Sequence, residues 1–349
     1  MRVLVTGHNG YIGSVMVPFL QKAGHEIVGL DTYLYEDCTF GPEVPDVSAL
    51  RMDLRDVTPA DLTGFDAVIH LAALCNDPLG NLNPGVTYDI NHHASVTLAK
   101  AAKAAGVRRW LFASSCSLYG LAGDELLTEE AGFNPITAYG ESKILTEQDV
   151  RPLADEHFSP VFLRNATAYG ASPRLRCDIV VNNLVGYAMT QGDVLIQSDG
   201  TPWRPLVHVE DISRAFLAAL EAPRELIHNQ AFNVGRNDDN LRVRQIADMV
   251  QAVVPGCTIR YAEGGGPDPR CYRVDCSKIA RTLPAFRPAW TVPKGIEQLY
   301  AAYRAAGLTA AEFQGHRYLR LRQINRLQTE GRLGSELRWK QATPAGAGV

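Results

Sequence analysis

The sequence predicts an α/β protein with a doubly wound parallel sheet and a smaller C-terminal domain. Short apolar runs alternate with longer amphipathic runs as far as about residue 170. The chain has 349 residues, 46% of them hydrophobic and 21% charged, which is typical of a soluble globular protein with one large or two smaller domains. No stretch approaches the ~20 consecutive apolar residues that a membrane-spanning helix needs, so we expect no segment of this sequence to span a membrane.

The N-terminal part divides into alternating strands and helices. This alternation predicts a parallel sheet that is covered on both faces and joined by right-handed crossovers. The predicted strands are 2–6, 26–31, 67–73, 108–115 and 160–165. The predicted helices are 11–24, with Pro18 as an irregularity, then 87–107 and 137–156.

Beyond residue 170 the alternation becomes less regular. Helices are predicted at 178–191, 243–254 and 295–306, and a short strand leads into a helix over 205–222. We expect one domain from residues 1–170 plus about 205–235, a second from about 171–204 and 236–330, and a tail over 331–349. The Arg-rich segment after Leu308 is compatible with a solvated helix, an oligomer contact or a lid, and its Pro/Ala/Gly end predicts disorder.

Charge and cysteine content exclude several classes of protein. The net charge of −4 provides no overall basic field for nucleic acid or an acidic membrane. Seven cysteines without a C-x-x-C pair argue against a disulfide framework or a zinc site, and they favour a reducing cytoplasm. The N-terminal apolar run is too short for a secretory signal peptide. We therefore expect a cytoplasmic protein that binds neither nucleic acid nor membrane.

Three glycines, Gly7, Gly10 and Gly13, stand between the first strand and the first helix. A strand–glycine loop–helix unit allows the backbone to approach a pyrophosphate at the helix N-terminus, where free N–H groups favour an anion. The spacing is Gly-x-x-Gly-x-x-Gly, with Thr6 in front, rather than the commoner Gly-x-Gly-x-x-Gly. The loop therefore predicts a dinucleotide site.

Asp31 ends the second predicted strand, where a carboxylate can accept hydrogen bonds from an adenosine ribose diol. The same carboxylate would repel a 2′-phosphate, so NAD is favoured over NADP. In the segment MDLRD, Asp53 and Leu54 would lie near the adenine; a plain surface loop is the alternative.

Ser115, Tyr139 and Lys143 form a candidate catalytic set. Ser115 ends a predicted strand, where open α/β sheets place their ligands. Tyr139 and Lys143 are four residues apart and so share one helix face. An ammonium and a positively charged nicotinamide would lower the pKa of the phenol from ~10 and make it a better base. Ser115 would hydrogen-bond the same substrate oxygen.

The chain resembles the extended short-chain dehydrogenases/reductases, the group of NAD-dependent nucleotide-sugar epimerases and dehydratases. The resemblance covers about residues 1–305 and rests on TGHNGYIG, LDTY, MDLRD, HLAA, YDIN, SSCSLYG, YGESK, LRNATAYG and RPLVHVEDI. It implies a Rossmann-like sheet and a C-terminal substrate domain. It also implies the Ser/Tyr/Lys catalytic roles of Ser115, Tyr139 and Lys143. The implied NAD-contacting residues are Thr6, Gly7, Gly10, Tyr11, Ile12, Gly13, Asp31, Asp53, Leu54, Ala72, Asn91 and Lys143.

The substrate contacts follow the family pattern less closely. Arg204 leads RPLVHVED, a segment whose first arginine binds the substrate diphosphate in the family. A second phosphate-binding arginine usually precedes the aspartate that matches Asp268, and it is absent here. Thr167 replaces the usual asparagine of LRNATAYG. The candidates for the missing arginine are Arg174, Arg176 and Arg270.

Other residues of the expected sugar pocket bear on the reaction. Sugar 4,6-dehydratases of this group have Thr-Asp-Glu where this chain has Ser115, Cys116 and Ser117. Without the acid/base pair, 4,6-dehydration is disfavoured. Cys116 and Ser117 are still expected near the sugar, as are Cys75 and Asn76 of the loop LCNDPLGN.

Three functions remain open at this point. An epimerase would form a transient 4-keto sugar and return the hydride from bound NAD, whereas a reductase would use an exchanging NAD(P)H. A non-catalytic nucleotide sensor would not need the Ser/Tyr/Lys set. The NAD preference that Asp31 predicts favours the epimerase. By analogy with the family, a homodimer would form through the helices at 87–107 and 137–156.

Overall fold

A seven-stranded parallel sheet organises the N-terminal part of the protein. The computed structural model describes residues 1–41, 44, 47–75, 77–263, 266 and 270–340. The strand order is β11-β7-β5-β4-β1-β2-β3, and every neighbouring pair is parallel. The strands are β1 Arg2–Thr6, β2 Glu26–Asp31, β3 Ala49–Arg51, β4 Ala67–His70, β5 Arg109–Ser115, β6 Leu121–Leu127, β7 Ser159–Asn165, β8 Thr167–Tyr169, β9 Asp193–Ile196, β10 Trp203–His208, β11 Gln230–Val234, β12 Asn240–Arg242, β13 Thr258–Tyr261 and β14 Cys271–Val274.

Helices cover both faces of this sheet and continue into the C-terminal part. They are α1 Gly13–Lys22, α2 Asp77–Gly80, α3 Pro84–Tyr88, α4 Ala94–Ala104, α5 Ala138–Val150, α6 Val180–Gln191, α7 Val209–Glu221, α8 Arg224–Ile227, α9 Val243–Val253, α10 Ser277–Thr282, α11 Val292–Ala305, α12 Ala310–Phe313 and α13 Arg320–Thr329. The predicted doubly wound α/β class is confirmed. It follows from strands such as Val3–Val5 being buried on both faces, which requires helices above and below.

The predicted helix at 87–107 is interrupted in the structure. A π-helical turn over Asp89–His93 separates α3 from α4. Within this turn the buried Asn91 accepts a hydrogen bond from Leu74 N at 2.7 Å and donates to Leu74 O at 3.0 Å. A π turn widens the helix locally and is common where a side chain must reach a functional loop. The interruption therefore positions the loop that follows β4.

The C-terminal part contains small sheets that the sequence did not predict. β8, β10 and β12 form a three-stranded sheet, and β13 pairs with β9 while β14 pairs with β6. These pairings join segments that are far apart in the chain, so no local pattern indicates them. A separate apolar core lies beside these sheets and includes Val181 and Leu184 of α6, Ile246 of α9 and Leu299 of α11.

Residues 320–340, which we call the C-terminal strap, pack against the sheet domain. Ile324 and Leu327 of α13 have no exposed surface, and Leu333 and Leu337 are also buried. The four residues share an apolar cluster with residues of the N-terminal part, among them Leu34. The expectation of a solvated helix is wrong, because the apolar face of α13 is covered. The Pro/Ala/Gly end of the tail lies outside the described residues.

Within the described ranges, no helix has the length and apolar character to cross a membrane.

A buried ion pair links α5 to the sheet and provides a test of the core. The Arg164 Nη2 to Glu147 Oε2 distance is 2.7 Å, and both side chains are at most 2% exposed. Arg164→Met should lower the free energy of unfolding by about 3–5 kcal/mol, because it leaves a carboxylate buried with less compensation. Urea denaturation measures this change. Arg2→Met, which breaks an exposed pair with Glu26, should cost at most about 1 kcal/mol. If Arg164→Met and Arg2→Met lowered the free energy of unfolding equally, the Arg164–Glu147 pair would not act as a buried ion pair.

Candidate active site at the carboxyl edge of the sheet

A cavity of about 1010 Å³ opens where the strand order reverses between β1 and β4. Chain connections leave these two neighbouring strands in opposite directions, so a crevice forms beyond their carboxyl ends. Its wall includes the glycine loop, the end of β2, the loop after β4, the end of β5 and the first turns of α5 and α6. The volume is at the upper end of the range for a single small-molecule site, which suits a cofactor and a substrate side by side.

The glycine loop closely approaches the loop after β4. Gly7 has φ +72°, and a Cβ on it would lie 2.8 Å from Ala72 N. A Cβ on Gly13 would lie 2.4 Å from Gly7 O. Helix α1 begins at Gly13, which lines the cavity, and no acidic residue in its first turn opposes the positive end of the helix dipole. These features fit the diphosphate of a dinucleotide.

Asp31 is held at the end of β2 by backbone donors. Its carboxylate accepts hydrogen bonds from Tyr33 N at 2.7 Å and Asn9 N at 3.1 Å. Burial raises the pKa of this carboxyl, and the two N–H donors oppose that rise. Asp31 also lines the cavity, at the position where the sequence predicts the adenosine ribose.

Two of the residues expected to contact NAD lie behind the cavity wall. Thr6 is fully buried and hydrogen-bonds to His70 Nδ1 at 2.7 Å, and Asn91 holds Leu74 as described above. Neither belongs to the cavity wall. Their polar groups satisfy the backbone and side chains beneath the site, so they position the wall. Gly7, Gly10, Tyr11, Ile12, Gly13, Asp31, Asp53, Leu54, Ala72 and Lys143 do line the cavity.

The expected adenine end is closed by ion pairs and by the C-terminal strap. Arg55 binds Asp53 at 2.7 Å and also donates to the Glu336 carbonyl at 2.9 Å. Arg338 lies 2.7 Å from Asp56 and 3.8 Å from Asp53. These contacts join the wall of the cavity to the strap.

Lys143 and Tyr139 lie together on the wall, as their spacing predicts. The Lys143 amine is 5.7 Å from the centre of the Tyr139 ring and donates to the Ala113 carbonyl at 2.8 Å. Lys143 is only 2% exposed, and burial lowers its pKa from 10.5 to about 8. Thr137 caps α5 by accepting a hydrogen bond from Gly140 N at 3.2 Å, which fixes the turn that carries Tyr139.

Ser115 ends β5 on the same wall. Its Oγ accepts a hydrogen bond from Ser117 N at 3.1 Å and donates to Ser117 Oγ at 2.9 Å. Both serines line the cavity with Tyr139 and Lys143. The arrangement can exchange a proton with a substrate hydroxyl placed between the serine and the phenol.

Cys116 does not share this location. Its side chain is fully buried in the core, and its Sγ donates to the Arg164 carbonyl at 3.1 Å. The short 3-10 helix that begins at Cys116 turns this side chain away from the cavity while Ser115 and Ser117 face it. We therefore remove Cys116 from the expected substrate contacts.

The other expected substrate residues divide into three groups. Cys75, Ser117, Thr167, Arg176, Arg204 and Arg270 line the cavity. Arg174 does not line it and donates to Asn9 Oδ1 at 2.8 Å instead. Asn76 lies outside the described residues.

Several wall residues were missed in the sequence. Tyr35, Asn183, Arg320 and Leu337 all line the cavity. The apolar spacing of Ile324 and Leu327 among the arginines could have indicated that this segment packs against the protein. No local signal could show that it packs against this particular groove.

Comparison with known proteins agrees with this geometry. Residues 3–235 match the NAD dependent epimerase/dehydratase family. The chain belongs to this family. It is therefore an NAD-dependent enzyme of the extended short-chain dehydrogenase/reductase type, and the predicted cofactor and Rossmann-like fold are confirmed.

Individual family members are similar over most of the chain. UDP-glucose 4-epimerase of Bacillus subtilis (strain 168) is 27% identical over 331 residues, which cover 86% of this chain and 95% of that protein. MoeE5, solved in complex with UDP-glucuronic acid and NAD, is 27% identical with a TM-score of 0.75, covering 88% of this chain and all of that chain. The UDP-glucose-4-epimerase from Stenotrophomonas maltophila has a TM-score of 0.77 at 24% identity, covering 88% and 99% of the two chains. At that identity the last comparison supports the fold alone.

The first prediction from the site concerns cofactor choice in this family member. Asp31→Ala should weaken NAD binding by roughly ten- to a hundredfold, because it removes a charged acceptor from the ribose diol. It should also narrow the preference for NAD over NADP, since the repulsion of a 2′-phosphate disappears. Titration calorimetry with NAD and with NADP measures the ratio of the two affinities. Asp61→Ala, which removes a partly exposed carboxylate outside the cavity, is the control. If Asp31→Ala left the ratio of NAD to NADP affinity unchanged, the role of the Asp31 carboxylate in selecting NAD would be refuted.

A second prediction concerns the buried amine of Lys143. Between pH 8 and 10.5 the unfolded chain retains a proton that folded Lys143 has released, so rising pH favours the folded state. In NAD-free protein, the stability of Lys143→Met relative to wild type should therefore fall by up to about 3 kcal/mol across this range. Urea denaturation at several pH values measures the difference. Lys22→Met, at an exposed position, should show no such trend. If the difference in free energy of unfolding between Lys143→Met and wild type did not change with pH, the burial of the Lys143 charge would be contradicted.

Proposed function

We propose that the protein is an NAD-dependent nucleotide-sugar epimerase that works through a transient 4-keto sugar. Family membership and the Ser/Tyr/Lys set support NAD-dependent chemistry at a sugar hydroxyl. The choice of epimerisation rests on the C-terminal strap, which favours a resident cofactor over an exchanging one.

In the proposed chemistry, Tyr139 exchanges one proton with the sugar, and Lys143 and Ser115 assist it. Tyr139 takes the proton of the sugar C4 hydroxyl as the carbonyl forms, and it gives that proton back after the keto sugar has turned in the pocket. Lys143 favours the phenolate through its positive charge, and Ser115 hydrogen-bonds the reacting oxygen. Bound NAD would supply the acceptor, and later the donor, for the hydride at C4.

Two residues next to Ser115 argue against 4,6-dehydration. That reaction needs a carboxylic acid and a carboxylate to eliminate water, and in this chain their positions hold Cys116 and Ser117. Cys116 points into the core, where burial raises the pKa of its thiol well above the ordinary value. Neither side chain supplies the acid/base pair.

The strap is the observation that favours the epimerase over a reductase. Trp339 Nε1 donates to the Thr32 carbonyl at 2.6 Å, directly after Asp31, and Leu337 lines the cavity. Together with the Arg55 and Arg338 contacts, this fastens the chain across the expected adenosine end. A reductase must release its dinucleotide in every turnover, whereas an epimerase regenerates it in place. A cavity that is closed at its adenosine end therefore suits the epimerase, which keeps its dinucleotide bound.

Two arginines support a nucleotide diphosphate on the substrate side. Arg204 and Arg270 both line the cavity, and Arg204 also donates to the Arg270 carbonyl, which holds the two together. Guanidinium groups bind phosphate oxygens in pairs. The similar proteins named above suggest UDP-sugars as the first substrates to test. The homodimer and the cytoplasmic location remain predictions.

The epimerase proposal predicts that hydrogen at C4 is returned to the same sugar. UDP-, dTDP-, GDP- and CDP-sugars with deuterium at C4 would be incubated without added cofactor. An accepted substrate should give its 4-epimer with the deuterium retained, as measured by NMR and mass spectrometry. Turnover only of a 4-keto sugar with added NAD(P)H would support the reductase and overturn the proposal.

Tyr139→Phe tests the base in the same assay. It should lower kcat by at least about a hundredfold while NAD remains bound, because the proton has no acceptor. Tyr88→Phe is a matched control, since this phenol binds Glu141 at 2.6 Å and lies outside the cavity. Near-normal turnover by Tyr139→Phe would refute the catalytic assignment.

A further inference from the structure

Three buried polar groups on the cavity wall have unused hydrogen-bonding capacity. Arg176 Nη2, Arg320 Nη1 and Tyr35 Oη are each buried and have no hydrogen-bond partner among the described residues. The whole Arg176 and Arg320 residues are 9% and 4% exposed. Buried donors of this kind cost free energy unless a ligand or water satisfies them, so this part of the wall is built for a polar guest.

The three groups form one cluster, although they come from distant parts of the chain. The Arg320 guanidinium lies 4.0 Å from the centre of the Tyr35 ring. Burial raises the pKa of Tyr35, while the charges of Arg320 and Arg176 both oppose that rise, so both lie within electrostatic reach of the phenol. We call these three residues the arginine clamp.

The clamp carries an excess of positive charge. Arg176 Nε pairs with Asp178 at 2.8 Å. Arg320 donates to the Arg174 carbonyl at 2.9 Å, and the part of the chain that the structure describes provides no carboxylate partner for it. Two buried guanidinium groups with one paired carboxylate favour an anion in the cavity.

The position of the clamp indicates which anion it binds. Arg176 acts electrostatically on Tyr11, the residue that follows Gly10 in the glycine loop. Tyr35 follows Asp31 by four residues on the cofactor side of the cavity. Of the two arginines assigned to the substrate, Arg204 and Arg270, the first donates to the backbone carbonyls of Trp203 and Arg270. The clamp therefore belongs with the cofactor.

We propose that Arg176, Arg320 and Tyr35 bind the diphosphate of NAD opposite the glycine loop. The backbone N–H groups of the loop would then hold one side of the diphosphate and the clamp the other. Arg320 lies beyond residues 3–235, so it is the strap of this chain that completes the cofactor site. The proposal rests on the NAD dependence of the enzyme and is independent of the epimerase assignment.

Binding of three probes to NAD-stripped protein tests the clamp. Arg320→Gln and Arg176→Gln should each weaken NAD and ADP by about ten- to a hundredfold, because a charged hydrogen-bond donor to the diphosphate is lost. Adenosine, which has no diphosphate, should bind within about twofold of wild type. Arg322→Gln is the matched control, since this exposed arginine lies on the same helix outside the cavity. Titration calorimetry gives the three affinities.

Folding effects are separated from binding effects by the adenosine affinity and by Tyr35→Phe. This smaller change removes one hydroxyl and should weaken NAD and ADP by about threefold to tenfold, with adenosine unchanged. Unchanged NAD and ADP affinities in both arginine variants would overturn the proposal. The proposal would also be overturned if the two arginine variants weakened adenosine binding as much as NAD and ADP binding. The same holds if Arg322→Gln weakened NAD and ADP binding by the same factor as the clamp variants. A defect confined to binding of a UDP-uronic acid relative to UDP-glucose would also overturn it, by placing the anion on the substrate.

Discussion

The close approach of two loops at the switch point between β1 and β4 is the constraint on which the site depends. Gly7 reaches its position with φ +72°, against the backbone of Ala72, where a side chain would clash at 2.8 Å. This contact brings the expected diphosphate-binding loop beside the loop that leads to the sugar pocket. Asn91 then holds Leu74 through two hydrogen bonds, so the second loop is fixed from behind.

Within this frame, electrostatics determine what the catalytic residues can do. Lys143 is buried beside Phe112, with its amine 4.5 Å from the centre of that ring, and the amine donates a hydrogen bond to the Ala113 carbonyl. A buried ammonium of this kind is costly in the absence of an anion. A developing negative charge on Tyr139 would relieve that cost, which is the physical link between the burial of one residue and the proposed basicity of the other.

The C-terminal strap closes the expected adenosine end of the cavity. Its apolar side chains are buried against the sheet domain, while its polar groups contact Thr32 and Asp56 beside the expected adenosine site. Hydrophobic burial of the strap thereby supplies the free energy that holds these charged groups beside the expected adenosine site. In the proposed epimerase, this contact would link retention of the cofactor to epimerisation.

The sequence by itself determined the parallel α/β sheet, because strands buried on both faces require continuous apolar runs and covering helices. It also determined the glycine loop, Asp31, and the pairing of Tyr139 with Lys143, since each depends on local spacing within one turn or one helix. Only the tertiary structure decided that Cys116 points into the core, that Thr6 and Asn91 lie behind the wall, and that Arg320 lines the cavity. These placements depend on contacts between segments far apart in the chain, and no local pattern of side chains encodes which distant surface a segment will cover.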